Sequence, residues 1–110
     1  MDLSQRIYTI TKSFPKEEVY GITSQIRRAA VSIPSNIAEG YARKSRKEYI
    51  QFYSIAYGSV SELETQLILA RDFGYIEEKD FIEIESLLHE VAKMLHVLIM
   101  RLKELNAKPY

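Results

Sequence analysis

Apolar residues recur every three or four positions along most of the chain, which is the period of an amphipathic α-helix. The clearest pattern is a heptad seam that extends over four repeats near the C-terminal end: Phe81, Ile84, Leu88, Val91, Leu95, Leu98, Leu102 and Leu105. Further apolar residues flank this seam on both sides, as in a helix bundle rather than a two-stranded coiled coil. No alternating strand pattern competes, so the spacing predicts an all-α fold.

Four helical segments are predicted, at residues 2–13, 22–42, 46–73 and 77–106. The first is short and ends at Phe14-Pro15, because the residue before a proline is displaced from the α region. Ser45 and Glu48 match a capping box at the start of the third helix, and Gly74 suits the left-handed residue that ends it. Since the connections are short, we expect residues 1–110 to form a single domain, an antiparallel up-down four-helix bundle.

The third helix is expected to bury one stripe of side chains against the second helix: Phe52, Ala56, Ser59, Leu63, Gln66, Ala70 and Phe73. The second helix contains Pro34, where we expect a kink because proline has no N–H for the preceding turn. The polar residues grouped with this break are Asn36 and Glu39 in the second helix and Glu62 and Gln66 in the third. We interpret them, with Pro34, as a structural motif that satisfies freed backbone groups or pairs with Arg27 or Arg28. A ligand site is the alternative.

Basic residues cluster at the predicted turn between the second and third helices. The set comprises Arg43, Lys44, Arg46 and Lys47, with Arg27 and Arg28 further along the second helix. Such a cluster attracts nucleic-acid phosphates through counterion release. Tyrosines 41, 49, 53 and 57 lie nearby and could stack on unpaired bases. The favoured interpretation is that these rings lie in a subunit interface or cap the core with their hydroxyls outward.

Charge is unevenly distributed although the net charge is zero. Residues 21–60 contain six Lys and Arg against two Glu, whereas residues 61–110 contain six against ten Asp and Glu. Two opposite halves favour either a polyanion-binding patch or head-to-tail self-association, which forms a ring when the rotation closes. Solvated helix surfaces that happen to segregate by charge are the alternative interpretation.

Composition excludes several classes of protein. The chain has no Cys, which removes disulfides, thiolate zinc sites and a thiol nucleophile. No signal-peptide pattern and no long apolar run is visible, so we expect a cytoplasmic protein that does not enter a membrane. No P-loop, dinucleotide-binding turn, nucleophile elbow or metalloprotease motif is present, so we predict a non-enzymatic protein without a cofactor.

The two histidines, His89 and His96, are seven residues apart and therefore share one helical face. A carboxylate-bridged di-iron bundle needs Glu three residues before each His. Ser86 and Lys93 occupy those positions, which excludes the motif. We interpret the histidines as a surface or interface pair and predict no metal site.

Residues 25–40, QIRRAAVSIPSNIAEG, resemble a family of small bacterial four-helix-bundle proteins called 23S rRNA intervening-sequence proteins. Further residues match that family at 45, 47–49, 52, 56, 58–59, 62–67 and 74–76, so the resemblance covers nearly the whole chain. These proteins are similar to the accessory variability determinant of diversity-generating retroelements. The resemblance implies a bundle that assembles into a ring, typically a pentamer. It also implies nucleic-acid binding by the retroelement relatives, in partnership with a reverse transcriptase. Family members usually have a longer first helix, so we expect this one to be about two turns shorter.

The sequence therefore predicts a ring-forming helical bundle that binds RNA or DNA through the basic cluster between the second and third helices. The alternative is a protein-interaction scaffold in which the same basic cluster binds an acidic partner, such as a polymerase-type protein.

Overall fold

A computed structural model describes residues 2–107 of the chain, with side chains over residues 3–105. Four α-helices make up most of this part: α1 (Asp2–Thr11), α2 (Ile22–Tyr41), α3 (Arg46–Asp72) and α4 (Glu78–Ala107), with a 3-10 turn at Lys16–Glu18. Residues 2–107 contain no β-strand. Each predicted helix is present within two residues of its predicted limits, which confirms the all-α fold. Residues 1 and 108–110 of the predicted domain lie outside the described part.

The helices pack in sequential order around one core. Helix α2 packs against α1 and α3, and α4 packs against α3 and α1, whereas diagonal helices make no close backbone contact within residues 2–107. The bundle is 54 Å long and 23 by 19 Å across. This arrangement confirms the predicted up-down four-helix bundle, including its short first helix of 10 residues.

The limits of α3 are set by the predicted local signals. At its start, the Ser45 hydroxyl oxygen accepts a hydrogen bond from the Glu48 N–H at 3.2 Å. The same hydroxyl donates to Glu48 Oε1 at 3.1 Å, so Glu48 reaches back to the Ser45 side chain, whereas the predicted capping box has it reach a backbone N–H. At its end, Gly74 has φ of +82°, and the Tyr75 N–H donates to the Ala70 carbonyl at 2.9 Å. This is a Schellman motif, for which a glycine is favoured because of the positive φ.

Helix α2 continues through Pro34 as one 20-residue helix. Two turns of α2 and one of α3 are linked there by polar side chains. The Asn36 amide donates to the Ser32 carbonyl at 2.8 Å and to the Ser32 hydroxyl at 3.0 Å. The Ser32 hydroxyl in turn lies 2.8 Å from the Ser59 hydroxyl of α3. These hydrogen bonds satisfy polar groups between two closely packed helices, as partly buried groups require.

The buried face of α3 differs from the predicted stripe. Its buried residues are Tyr53, Ala56, Val60, Leu63, Leu67 and Ala70. Ala56, Leu63 and Ala70 were predicted; the other predicted members are half-buried, except Phe73, which is 58% exposed. The buried face therefore combines three residues of the predicted stripe with Tyr53, Val60 and Leu67, each of which follows a predicted member by one residue, while Ser59 bonds to α2.

Helix α4 is covered unevenly along its length. The seam residues Phe81, Ile84, Leu88 and Leu95 are buried, as predicted. The short α1 meets only the beginning of α4, where Arg6 forms an ion pair with Glu83. Further along, α4 exposes large apolar side chains, namely Met94, Val97 and Met100. Within residues 2–107, no helix has the length and apolarity that a membrane span requires.

Two side-chain contacts hold the N-terminal segment against the rest of the bundle. The hydrogen bond from Arg6 lowers the pKa of Glu83 below its usual value. The Tyr75 hydroxyl donates to Glu18 Oε2 at 2.8 Å, and this hydrogen bond raises the pKa of Tyr75. Both contacts connect segments far apart in the sequence, so they report on the docking of α1 and the 3-10 turn.

Candidate nucleic-acid interface

The turn between α2 and α3 occupies residues 42–45. The Arg43 N–H donates to the Gly40 carbonyl at 3.0 Å, which tightens the end of α2. Ser45 is extended (φ −116°, ψ 149°) and redirects the chain into α3. The turn therefore has a defined backbone, and it presents its basic side chains at one end of the bundle.

Gly40 lets α2 approach α3 closely just before this turn. A Cβ atom on Gly40 would lie 2.9 Å from Tyr53 Cε1 and 3.1 Å from Phe52 Cβ. Real Cβ contacts essentially never fall below 3.0 Å. The absence of a side chain at residue 40 thus allows the two helices to pack at the distance that the structure has.

Arg43 forms ion pairs with two neighbouring carboxylates. Its guanidinium forms an ion pair with Glu39, one turn earlier, and lies 3.8 Å from Glu48 Oε2. It also stacks over the Phe52 ring, with Cζ 4.8 Å from the ring centroid. Arg43 therefore braces the turn between α2 and α3, and its charge is compensated rather than offered to a ligand.

Three exposed cations lie at this end of the bundle: Lys44 in the turn, and Arg46 and Lys47 at the start of α3. Among the described residues, none of the three has a carboxylate within 4.0 Å. We call these three residues the basic turn. Their charges lie within four consecutive positions and face solvent, which is the arrangement that attracts a polyanion.

Arg27 and Arg28 do not join the basic turn. Arg27 precedes Arg43 by sixteen residues, which corresponds to about 24 Å of helix. Its Nε donates to the Thr11 hydroxyl at 2.9 Å, and its guanidinium stacks over the Tyr8 ring at 4.8 Å. Arg27 therefore fastens α1 to α2. Arg28 is exposed on α2, one residue later. The structure separates these two predicted site residues from the cluster.

The predicted tyrosine group divides by exposure. Tyr41 is 83% exposed beside the basic turn, whereas Tyr53 is buried with 7% exposed. The Tyr49 and Tyr53 rings are stacked, with centroids 6.4 Å apart. Burial raises the pKa of the Tyr53 hydroxyl, and the neighbouring tyrosines add to this effect. Tyr57 is 37% exposed. Tyr41 is therefore the ring most available for stacking on a base.

A groove opens between the ends of α2 and α4 next to the basic turn. Tyr49 and Tyr53 of α3 line it together with Tyr41, Leu98 and Leu102. Its volume is about 490 Å³ and its lining is mostly apolar. The basic turn thus lies beside an apolar, aromatic surface rather than on an entirely polar end of the bundle.

The polar residues grouped around Pro34 do not converge on one site. Glu39 pairs with Arg43, and Asn36 bonds to Ser32. The Ser32–Ser59 contact sets the register of α2 against α3 and places Glu62 and Gln66 about two to four turns along the bundle from Asn36 and Glu39. Glu62 is exposed, and the buried Gln66 Oε1 has no hydrogen-bond partner. Neither Arg27 nor Arg28 forms an ion pair with them within the described residues.

The two histidines have different surroundings. His89 Nε2 lies 2.9 Å from Glu64 Oε2 of α3, whereas the His96 ring packs 6.3 Å from the Tyr57 ring. Glu64 and Glu85 are residues that the sequence reasoning did not connect with His89. The spacing of Glu85 and His89, one helical turn, was a visible signal. The partner from α3 was not, because it depends on the register between two helices.

Comparison with known proteins gives a family and a structural relative. A family model described as 23S rRNA-intervening sequence protein matches residues 1–97. A crystal structure of a protein with unknown function, from the S23 ribosomal protein family of Bacteroides thetaiotaomicron VPI-5482, has a similar fold, with a TM-score of 0.83 and 27% identity. The alignment covers 89% of this chain and 92% of that chain. Among curated proteins, none matches.

Proposed function

Because the chain belongs to the 23S rRNA-intervening sequence protein family, we propose that it is a non-enzymatic, homo-oligomeric protein that binds nucleic acid through the basic turn. The observation that carries this proposal is the group of three exposed cations, Lys44, Arg46 and Lys47, without carboxylate partners in the described part. Tyr41 adds an exposed ring beside them. A solvent-exposed cation group with an aromatic neighbour suits an unpaired strand better than a rigid duplex.

Labelled single-stranded RNA and DNA, titrated at two salt concentrations and followed by fluorescence anisotropy, test this function. If three phosphates are contacted per subunit, affinity falls roughly 20-fold between 50 and 200 mM salt. The variant K44E/R46E/K47E is expected to lose binding. The control K12E/K16E/R28E carries the same change in net charge on exposed residues outside the basic turn, and it is expected to retain most of the affinity. Equal loss in both variants would contradict a site at the turn.

Self-association is the second part of the proposal, and we place the assembly in the cytoplasm as a ring, with five subunits as the working number. The exposed apolar side chains of α4, Met94, Val97 and Met100, support it, because such a face gains stability when a second copy covers it. A pentamer has five times the subunit mass of 12.8 kDa. Light scattering on the eluted protein measures this mass, and a monomer at all concentrations rules the ring out.

The alternative function is the binding of a protein at the basic turn. It is favoured by the apolar groove beside that turn. An acidic partner, such as a polymerase-type protein, could place apolar side chains between Tyr41 and Leu102 while its carboxylates meet Lys44. A pull-down with and without nuclease separates the two functions. Partners that persist after nuclease treatment and disappear in K44E/R46E/K47E favour the scaffold, whereas partners that are lost after nuclease favour nucleic-acid binding.

A further inference from the structure

We propose that Glu64, Glu85 and His89 form a binding site for one Zn²⁺ ion that links α3 to α4. The donor atoms of the three side chains all lie within 4.8 Å of one another. His89 Nε2 and Glu64 Oε2 are already 2.9 Å apart across the helix interface. The site lies outside the basic turn and does not depend on nucleic-acid binding, and it departs from the sequence-based prediction of no metal.

Rigid parts of the bundle hold the three side chains in place. Glu85 and His89 are four residues apart in α4 and therefore project from the same face of the helix. Leu88 and Leu63, the neighbours of His89 and Glu64 in sequence, are fully buried in the core. Because these neighbours are fixed by packing, the backbone positions of the ligands are fixed as well, as a preorganised metal site requires.

The donor set suits zinc better than calcium or magnesium. One imidazole nitrogen and two carboxylate oxygens, with water as the fourth ligand, give the tetrahedral N/O coordination that Zn²⁺ accepts. Calcium and magnesium prefer oxygen ligands only and higher coordination numbers. Two ligands of a tetrahedral zinc lie about 3.3 Å apart when the bonds are about 2.0 Å long. The His89–Glu64 contact of 2.9 Å lies close to that separation, and the other donor pairs, within 4.8 Å, reach it through rotation of side chains at this accessible surface.

Access and charge also favour a cation. The His89 side chain is 62% exposed and that of Glu64 38%, so an ion can enter from solvent. The two glutamate carboxylates bring two negative charges to the site before an ion binds. Glu90 and Lys93 line the shallow surface around Glu85 and His89, and their opposite charges compensate each other. The ion therefore meets a net negative site on an accessible helix face.

Calorimetric titration of the intact protein with Zn²⁺ alone tests the site. Absorption spectra of the protein with Co²⁺ in place of Zn²⁺ report the coordination number. We expect one Zn²⁺ per chain and a four-coordinate Co²⁺ spectrum. H89Q, E64Q and E85Q should each weaken Zn²⁺ binding at least tenfold. H96Q is the matched control, because it removes the other exposed histidine of α4, and it should bind as the wild type does.

A second readout separates the loss of a ligand from the loss of the fold. Zn²⁺ should raise the melting temperature of the wild type and of H96Q but not of H89Q, because an ion that bridges α3 and α4 binds only the folded chain. Circular dichroism checks that all variants remain helical. Unchanged Zn²⁺ binding in H89Q or E64Q, or no binding to the wild type, overturns the site, as does equal weakening in H96Q.

Discussion

Replacing Gly40 with alanine tests how closely α2 must approach α3 at the base of the basic turn. The new methyl group would lie 2.9 Å from Tyr53 Cε1 and 3.1 Å from Phe52 Cβ. Tyr53 cannot move away freely, because it is buried and its ring stacks on Tyr49. Phe52 Cβ is attached directly to the backbone of α3, so relief of that contact requires the helices to separate.

The magnitude follows from two opposing effects. Overpacking in a well-packed interface costs about 1–3 kcal/mol. Alanine is better than glycine in a helix by up to about 1 kcal/mol, and less near a helix end such as residue 40. The expected net result for Gly40→Ala is a loss of about 1–2 kcal/mol in the free energy of unfolding.

Gly58 is the matched control within the same protein. It is an exposed residue in the middle of α3, and a Cβ atom there would meet nothing within 4 Å. Gly58→Ala should therefore raise the free energy of unfolding by about 1 kcal/mol through helix propensity alone. The same substitution thus has opposite signs at two positions of one bundle.

Urea denaturation followed by circular dichroism measures both variants at one protein concentration, because any self-association would shift the midpoint. The midpoints should move in opposite directions while the slope stays constant. If Gly40→Ala is as stable as the wild type, or if both variants move the same way, then close approach at Gly40 does not hold the turn in place.

Three further predictions concern the docking of α1 and the core. The hydrogen bond from Arg6 lowers the pKa of Glu83 in the folded chain. The stabilisation of the folded state by this pair is therefore present at neutral pH and is lost as pH falls through the folded-state pKa of Glu83. Glu83→Gln should reduce the difference between the melting temperatures at pH 7 and pH 3. Tyr75→Phe keeps the ring but removes the hydrogen bond to Glu18, and it should lower the melting temperature. It should also abolish part of the stability loss of the wild type above about pH 10, since the pKa of Tyr75 is raised in the folded state. Leu88→Ala removes a fully buried side chain and should cost about 2–5 kcal/mol in urea denaturation.

The helix limits could be predicted from sequence because they depend on local chemistry. Ser45 caps its own helix within three residues, and Gly74 supplies the positive φ that ends α3. The buried face of α3 was less predictable. The row that contains Phe52 and the row one residue later both have helical spacing, and only the position of the neighbouring helices decides which members of each row are buried.

The candidate site shows the same division between local and long-range contacts. The Glu39–Arg43 pair, one turn apart, was readable from sequence and removes Arg43 from the free charge of the turn. The contact of Arg27 with Thr11 joins residues sixteen apart in two helices, so no local pattern indicates it. The Glu64–His89 contact likewise depends on helix register.

The hydrogen bond between Ser32 and Ser59 affects how α2 and α3 align along each other during folding. The neighbouring buried side chains Ala29 and Ala56 are small and apolar, so they provide no hydrogen bond that fixes this alignment. A slip of α2 along α3 would separate the two hydroxyls and remove this hydrogen bond from the partly buried Ser59, which is unfavourable. The polar pair thus penalises misaligned bundles during folding, and it fixes the height of the basic turn along the bundle.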